Sequence, residues 1–270
     1  MNTTSTSRSN MSNPLSKPLI VSLTSYPPRF PFLYRTIESL LNQSIKPDKI
    51  VVWIAHGDFD SLPAEVTNLS GLIDLAPCSD VKSYKKLTVA LEQFQDCYIV
   101  TADDDIFYHR KWLELLVQEV DESTRDILCH VAFRFHVNSD GSVAKYTEWT
   151  RDVQDAHSRV PSSDLVAIGV GGILYPPGAL FQDASKEELF QAICPNGDDL
   201  WYFAMARLKG TKVRKVGPRL KAVLWDGSQD AGLFKSNVPF GNDKCVANLV
   251  RTYGPSLFDG GRVRVSGSCN

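Results

Sequence analysis

The 270-residue sequence has no long hydrophobic run. The longest apolar stretch, LVAIGVGGILY from Leu165, is short and interrupted by glycines. It falls well below the ~18 apolar residues that a membrane span needs. Net charge is also nearly absent, with 29 Lys and Arg against 31 Asp and Glu. That balance gives no electrostatic case for a nucleic-acid partner. No two cysteines have the CxxC spacing of a zinc or thioredoxin-like site. The six that occur (Cys78, Cys97, Cys129, Cys194, Cys245 and Cys269) are scattered. They read as reduced, mostly buried thiols of a cytoplasmic protein. The first residues, MNTTSTSRSNMSNPLSKP, carry no apolar core of a secretory leader. Their Ser, Thr and Asn content predicts a disordered tail over residues 1–17.

From Leu19 onward the pattern changes. LIVSL (Leu19 to Leu23) is a short buried strand entering the loop TSYPPR. Leu33, Ile37, Leu40, Leu41 and Ile45 then recur at helical spacing, and Pro47 ends that helix. KIVVWI (Lys49 to Ile54) is a second strand. Strand, helix, strand in this order implies a parallel pair with a crossover helix. Further helices are expected over Ser83–Phe94, Lys111–Val120 and Asp199–Gly210. Further strands are expected over Cys97–Thr101, Cys129–Phe135, Gly171–Tyr175 and Thr211–Val216. Residues 138–163 read as an irregular excursion. The fold class is therefore α/β, a mostly parallel central sheet flanked by helices.

The chemistry concentrates where an apolar run ends in three carboxylates, IVTADDDIFYHRKW. In open parallel sheets, ligands bind beyond the carboxyl ends of the strands. If the segment stays extended, Asp103 and Asp105 face the same way and offer two oxygens to one point. Hard cations such as Mn²⁺ or Mg²⁺ suit such donors. A plain Asp-rich turn capping the next helix is the simpler alternative, and a DxD tripeptide alone does not decide between them.

Several segments together do. VSLTSYPPRF, KSYKKLTVAL, IVTADDDIFYHRKWL, GVGGILYPPGAL and NGDDLWYFAMARLKG make the chain resemble GT-A (Rossmann-like) glycosyltransferases of the bacterial family-2 kind, from Leu19 to about Val216. The resemblance implies one catalytic domain over residues 18–270. Its nucleotide-sugar half would lie at about 18–110 and its acceptor half at about 111–270. It implies a nucleotide-diphospho-sugar donor, with a UDP-sugar favoured, and a glycan or lipid-linked acceptor. Asp105 and Asp103 would hold Mn²⁺ or Mg²⁺ on the diphosphate, with Asp103 and Asp104 near the donor. Thr24, Tyr26 and Arg29 would line the nucleoside and phosphate pocket, and Asp80 would accept a hydrogen bond from the base. Lys82 and Lys86, four apart, share a helical face beside Lys85 that would meet the diphosphate; a merely solvated face is the alternative.

In the resembling family an acidic pair opening a helix carries the base of inverting enzymes. Asp199 takes that role here, with Asp198 beside it. A helix dipole at that position would depress the carboxylate pKa. Gly171, Gly172 and Trp201 are assigned to the acceptor wall. The departure concerns a third metal ligand. No histidine follows His157, leaving WDGSQD (Trp225 to Asp230) and GNDK (Gly241 to Lys244) to supply oxygens.

The implied setting is bacterial surface polysaccharide synthesis in the cytoplasm, with room for peripheral visits to the inner membrane face. Oligomeric state is left open. Two rivals remain. One is a non-catalytic sugar-nucleotide or glycan-binding relic of the fold. The other is a sugar-1-phosphate nucleotidyltransferase, which would carry a glycine-rich first loop where TSYPPR stands.

Overall fold

The computed structural model describes residues 11–219, 221–228 and 241–259. The elements run β1 (Leu19–Thr24), α1 (Phe30–Leu41), β2 (Lys49–Ala55), α2 (Ala64–Thr67), β3 (Asp74–Cys78), α3 (Lys85–Gln93), β4 (Tyr98–Ala102), β5 (Ile106–Phe107), α4 (Trp112–Val117), β6 (Ile127–Cys129), β7 (Ala132–Arg134), β8 (Leu165–Ala167), β9 (Ile173–Tyr175), α5 (Glu187–Ile193), α6 (Asp198–Lys209), β10 (Val213–Lys215), β11 (Val223–Leu224) and α7 (Gly241–Tyr253). Seven strands form one sheet in the order β10-β6-β9-β4-β1-β2-β3. All neighbours are parallel except β9, which runs against both β4 and β6. The expected plan, a mostly parallel central sheet flanked by helices, is observed, and β9 makes the sheet mixed.

Alternation along the central strands explains the layering. Leu19, Val21 and Leu23 of β1 point to one face, with Ile50, Val52 and Ile54 of β2 and Val100 of β4. That face is covered by Leu33, Ile37 and Leu40 of α1 and by Trp112, Leu113 and Leu116 of α4. Ile20, Val51, Trp53 and Ile99 point to the other face, where α3 and α6 pack. Strands buried on both sides must be apolar at nearly every position, as LIVSL and KIVVWI are.

Three expectations change. The tail does not stay disordered through Lys17. Met11 bridges to Ile45, and Asn13 donates to the Lys17 carbonyl and to Asp48. The single strand expected over Cys129–Phe135 is two. β6 belongs to the main sheet, whereas β7 leaves it to pair with β8. The division falls at His130, buried with Nε2 3.0 Å from the Trp112 carbonyl. The cysteines are not all thiols. Cys194 and Cys245 form a disulfide, while Cys78, Cys97 and Cys129 are free. Cys269 lies outside the described residues. β3, α5 and α7 had no counterpart in the sequence reading. β3 is a half-exposed edge strand containing Pro77, so it lacks a run of buried apolar residues.

Among the described residues no helix is long and apolar enough to cross a membrane.

Candidate active site

Parallel pairing of β1 with β4 sets Leu23 beside Ala102, so the loops after both strands leave the sheet at one level. Ser25 to Arg29 follow β1, whose last residue is Thr24, and Asp103 to Asp105 follow β4. Between them and α6 lies a cleft of about 610 Å³, within the range of small-ligand sites. Thr24, Tyr26, Arg29, Asp80, Lys82, Lys85, Lys86, Asp103, Asp104, Asp105, Asp198 and Asp199 all line it. Twelve of the residues named from sequence thus meet in one place.

The three aspartates do not alternate as strand residues would. β4 ends at Ala102, and Asp104 and Asp105 lie in a turn. Asp104 and Asp105 converge on the Arg29 guanidinium: Asp105 is in ion-pair contact and Asp104 is 3.6 Å away. Ser25 Oγ donates to Asp104 at 2.5 Å. Ser228 Oγ lies 3.4 Å from Asp105. Asp103 turns instead toward Lys86, whose Nζ is 2.9 Å from Asp103 Oδ1 and 3.4 Å from Asp198 Oδ2. Burial pushes the Asp104 carboxyl up to about 7, against the pull of Ser25 and Arg29.

Lys85 and Lys86 are buried, which excludes a solvated face for them. Burial opposes the Lys86 charge. Asp103, Asp198 and Asp199 outweigh it and hold its pKa well above the ordinary lysine value. Lys85 Nζ donates to Asp80 at 2.7 Å. Lys82 has φ +56° and precedes α3 in a 3₁₀ turn, so it does not share a regular helical face with Lys86. Its Nζ reaches Asn196 at 2.7 Å.

α6 begins at Asp198, with Gly197 as its N-cap. Asp199 does not cap its own helix. Its Oδ1 accepts the backbone N–H of Gly169 at 3.1 Å. The expected depression of its pKa is reversed. Burial, then the Asp198 charge, push it up to about 8, against Lys86 and the Gly169 hydrogen bond. A helix dipole is a fraction of a charge, whereas the loss of water acts on the whole carboxylate.

The acceptor-wall assignment is redistributed. Gly169 and Val170 line the cleft, but Gly171 and Gly172 stand behind it. A Cβ on Gly172 (φ +87°) would meet the Trp112 ring at 2.5 Å, and one on Gly171 would meet Val131 at 2.7 Å. Trp201 is wholly buried, its Nε1 donating to the Ala184 carbonyl. These three residues shape the support of the site. Phe133 and Tyr146 line the cleft without having been named. Phe133 and Tyr146 carried no sequence signal, coming from β7 and the irregular excursion.

From the two C-terminal segments, Trp225 N–H donates to the Asp105 carbonyl and Asn242 reaches the cleft. Asp243 instead accepts from the Tyr146 N–H. Asp230 lies outside the described residues. Among the described residues, no three His, Cys, Asp or Glu side chains converge as a metal site. Two carboxylates already share one cation, the Arg29 guanidinium. Mg²⁺-type ions on substrate phosphates take one or two carboxylates and fill the remaining positions with phosphate and water. Asp104 and Asp105 therefore fit such an ion by donor chemistry.

Residues 26–166, more than half of the chain, match the profile of glycosyl transferase family 2. No curated protein sequence matches the chain. Among solved structures, S. aureus TarS in complex with UDP is similar at 14% identity and TM-score 0.45, covering 76% of this chain; this chain spans 59% of that one. The glucosyl-3-phosphoglycerate synthase of Mycobacterium tuberculosis, in complex with Mn²⁺, UDP and phosphoglyceric acid, is similar at 10% identity and TM-score 0.48, over 87% of this chain and 78% of that one. The inositol-1-phosphate CTP transferase of T. maritima is similar at 10% identity and TM-score 0.43, over 90% of this chain and 98% of that one. At such identities the likeness is one of chain path and does not carry an activity.

Proposed function

Given that this chain belongs to glycosyl transferase family 2, a family of inverting sugar transferases, we propose that it moves a sugar from a nucleotide-diphospho-sugar to a hydroxyl of a glycan or lipid-linked acceptor. Bacterial surface polysaccharide assembly is the setting we propose, and UDP-sugars are the first donors to test. The observation that carries the reading is Asp199. It is a half-buried carboxylate with a raised pKa, held by the Gly169 N–H in the same cleft as Asp103 to Asp105.

In the proposed reaction Asp199 takes the acceptor hydroxyl proton as that oxygen bonds to the anomeric carbon. The bond from that carbon to the diphosphate oxygen breaks on the opposite side, and the configuration inverts. A raised pKa makes Asp199 a stronger base than an ordinary aspartate. Arg29, Lys82 and Lys86 supply positive charge for the leaving diphosphate. Tyr26 offers a face for the base, and Asp80 an acceptor for its N–H. A divalent ion held by Asp104 and Asp105 would neutralise diphosphate charge as it develops.

The test is donor turnover and transfer across UDP-, GDP-, CMP- and dTDP-sugars with and without Mn²⁺, in the wild type and in Asp199→Asn. We expect one nucleotide class to be turned over. Asp199→Asn should lose at least ~100-fold in transfer, the usual share of a general base, while keeping the donor-induced thermal shift. Full transfer in Asp199→Asn would move the base elsewhere. Donor binding without turnover in the wild type would favour the binding relic.

A further inference from the structure

We propose that Arg29 is a resident counter-ion of the aspartate turn, and that it releases Asp104 and Asp105 to a divalent cation only as the donor diphosphate arrives. The inference rests on the metal-assisted transfer proposed above and adds an order to it.

Arg29 ends a 3₁₀ turn, Pro27–Arg29, directly after β1. Its side chain is buried and its guanidinium meets both Asp104 and Asp105. Asp105 is buried with it, only 5% exposed, and Asp104 is half-buried beside it. Adjacent carboxylates largely removed from water need positive charge close by, and removing a partner from a buried charge costs far more than a surface pair is worth. In this structure Arg29 supplies that charge. A cation entering from solvent must therefore displace it, and the displacement is subtracted from the cation's affinity.

Two features make the resting position one that Arg29 can leave. Its Nε–H is buried with no hydrogen-bond acceptor among the described residues. A buried donor left unmet is an energetic cost that a better position would relieve. Arg29 also lines the same cleft as Lys82 and Lys86, where a diphosphate would sit. A guanidinium binds phosphate oxygens with two parallel donors, so a diphosphate offers it a full alternative partner. The two events then support each other. The diphosphate draws Arg29 away, and the vacated carboxylates accept the cation. Linkage requires that the cation raise diphosphate affinity by the same factor.

The experiment is a titration of Mn²⁺, followed by the electron paramagnetic resonance of the free ion. It compares wild type and Arg29→Met, each alone and with UDP, GDP, CDP or dTDP, with circular dichroism to confirm the fold. We expect wild type to bind Mn²⁺ weakly alone and much more tightly with one nucleoside diphosphate. Arg29→Met should bind Mn²⁺ alone at least ~tenfold tighter than wild type, because its carboxylates have lost their counter-ion. The gain from the nucleotide should shrink in that variant. Equal Mn²⁺ affinity of the two proteins without nucleotide would overturn the counter-ion role while leaving the metal reading standing. No Mn²⁺ binding by either protein, even with every nucleotide, would overturn the metal reading and this inference with it. If Arg29→Met does not fold, Arg29→Lys decides. Lysine keeps the charge but lacks the reach and planar geometry of the guanidinium, so its hold on the two carboxylates is weaker and Mn²⁺ alone should bind more tightly than to wild type. An unchanged affinity would overturn the proposal.

Discussion

Lys86 Nζ lies 3.4 Å from Asp198 Oδ2, while the same nitrogen donates to Asp103 at 2.9 Å. One buried ammonium thus joins the aspartate turn after β4 to the acidic pair that opens α6. The two acidic motifs are far apart in sequence. In the fold they share a cation, and their charges are coupled through it.

That coupling sets a pH prediction. A base must be deprotonated to act, so kcat should rise with pH along a limb reporting the Asp199 carboxylate, whose pKa is pushed up to about 8. Asp198 is one cause of the upward push, and Lys86 opposes it. Asp198→Asn should therefore move the limb to lower pH, and Lys86→Met should move it to higher pH. The check is kcat against pH at saturating donor and acceptor for the three proteins. A limb that stays in place in both variants would show that Asp199 is not the group being read.

Gly172 predicts a stability effect. Its φ of +87° disfavours any side chain, and a Cβ there would meet the rigid Trp112 ring at 2.5 Å. Trp112 Nε1 also donates to the Gly171 carbonyl, so the ring cannot swing away without losing that bond. Gly172→Ala should lose about 1–3 kcal/mol, the range of overpacked core substitutions. Urea unfolding measures it; a loss under ~0.5 kcal/mol, typical of free surface positions, would mean that the approach is not required.

The disulfide predicts a redox effect. Cys194 follows α5, Cys245 lies in α7, and the bond closes a loop across a separation of 51 residues. Loops of that length give roughly 2–4 kcal/mol of stabilisation. Cys245 Sγ also lies 3.2 Å from where a Gly197 Cβ would be, under the turn that carries Asp198 and Asp199. Dithiothreitol, or Cys245→Ser, should lower the melting temperature. Reductant should have no further effect on the variant. An identical melting temperature with and without reductant would show that the bond contributes nothing.

Much of this was legible in the chain. LIVSL and KIVVWI are apolar at consecutive positions because both faces of their strands are covered, and that pattern is local. The aspartate triplet follows a strand, where ligands of open sheets bind; TSYPPR and NGDD are joined to it by the resemblance to family-2 glycosyltransferases. Other features depended on distance in the fold. The Cys194–Cys245 pair could not be read from scattered cysteines, since pairing requires two backbones to approach. Gly171 and Gly172 looked like a ligand wall, yet what they make room for is Val131 and Trp112.

The sequence by itself determined the parallel α/β plan and the identity of the acidic and basic groups, because burial patterns and functional residue types are written along the chain. Only the tertiary structure decided which cation serves which carboxylate. Arg29 serves Asp104 and Asp105, and Lys86 serves Asp103 and Asp198. It also decided that Asp199 is raised rather than depressed, because desolvation depends on everything packed around a group. Neither fact is a property of a residue and its neighbours in sequence.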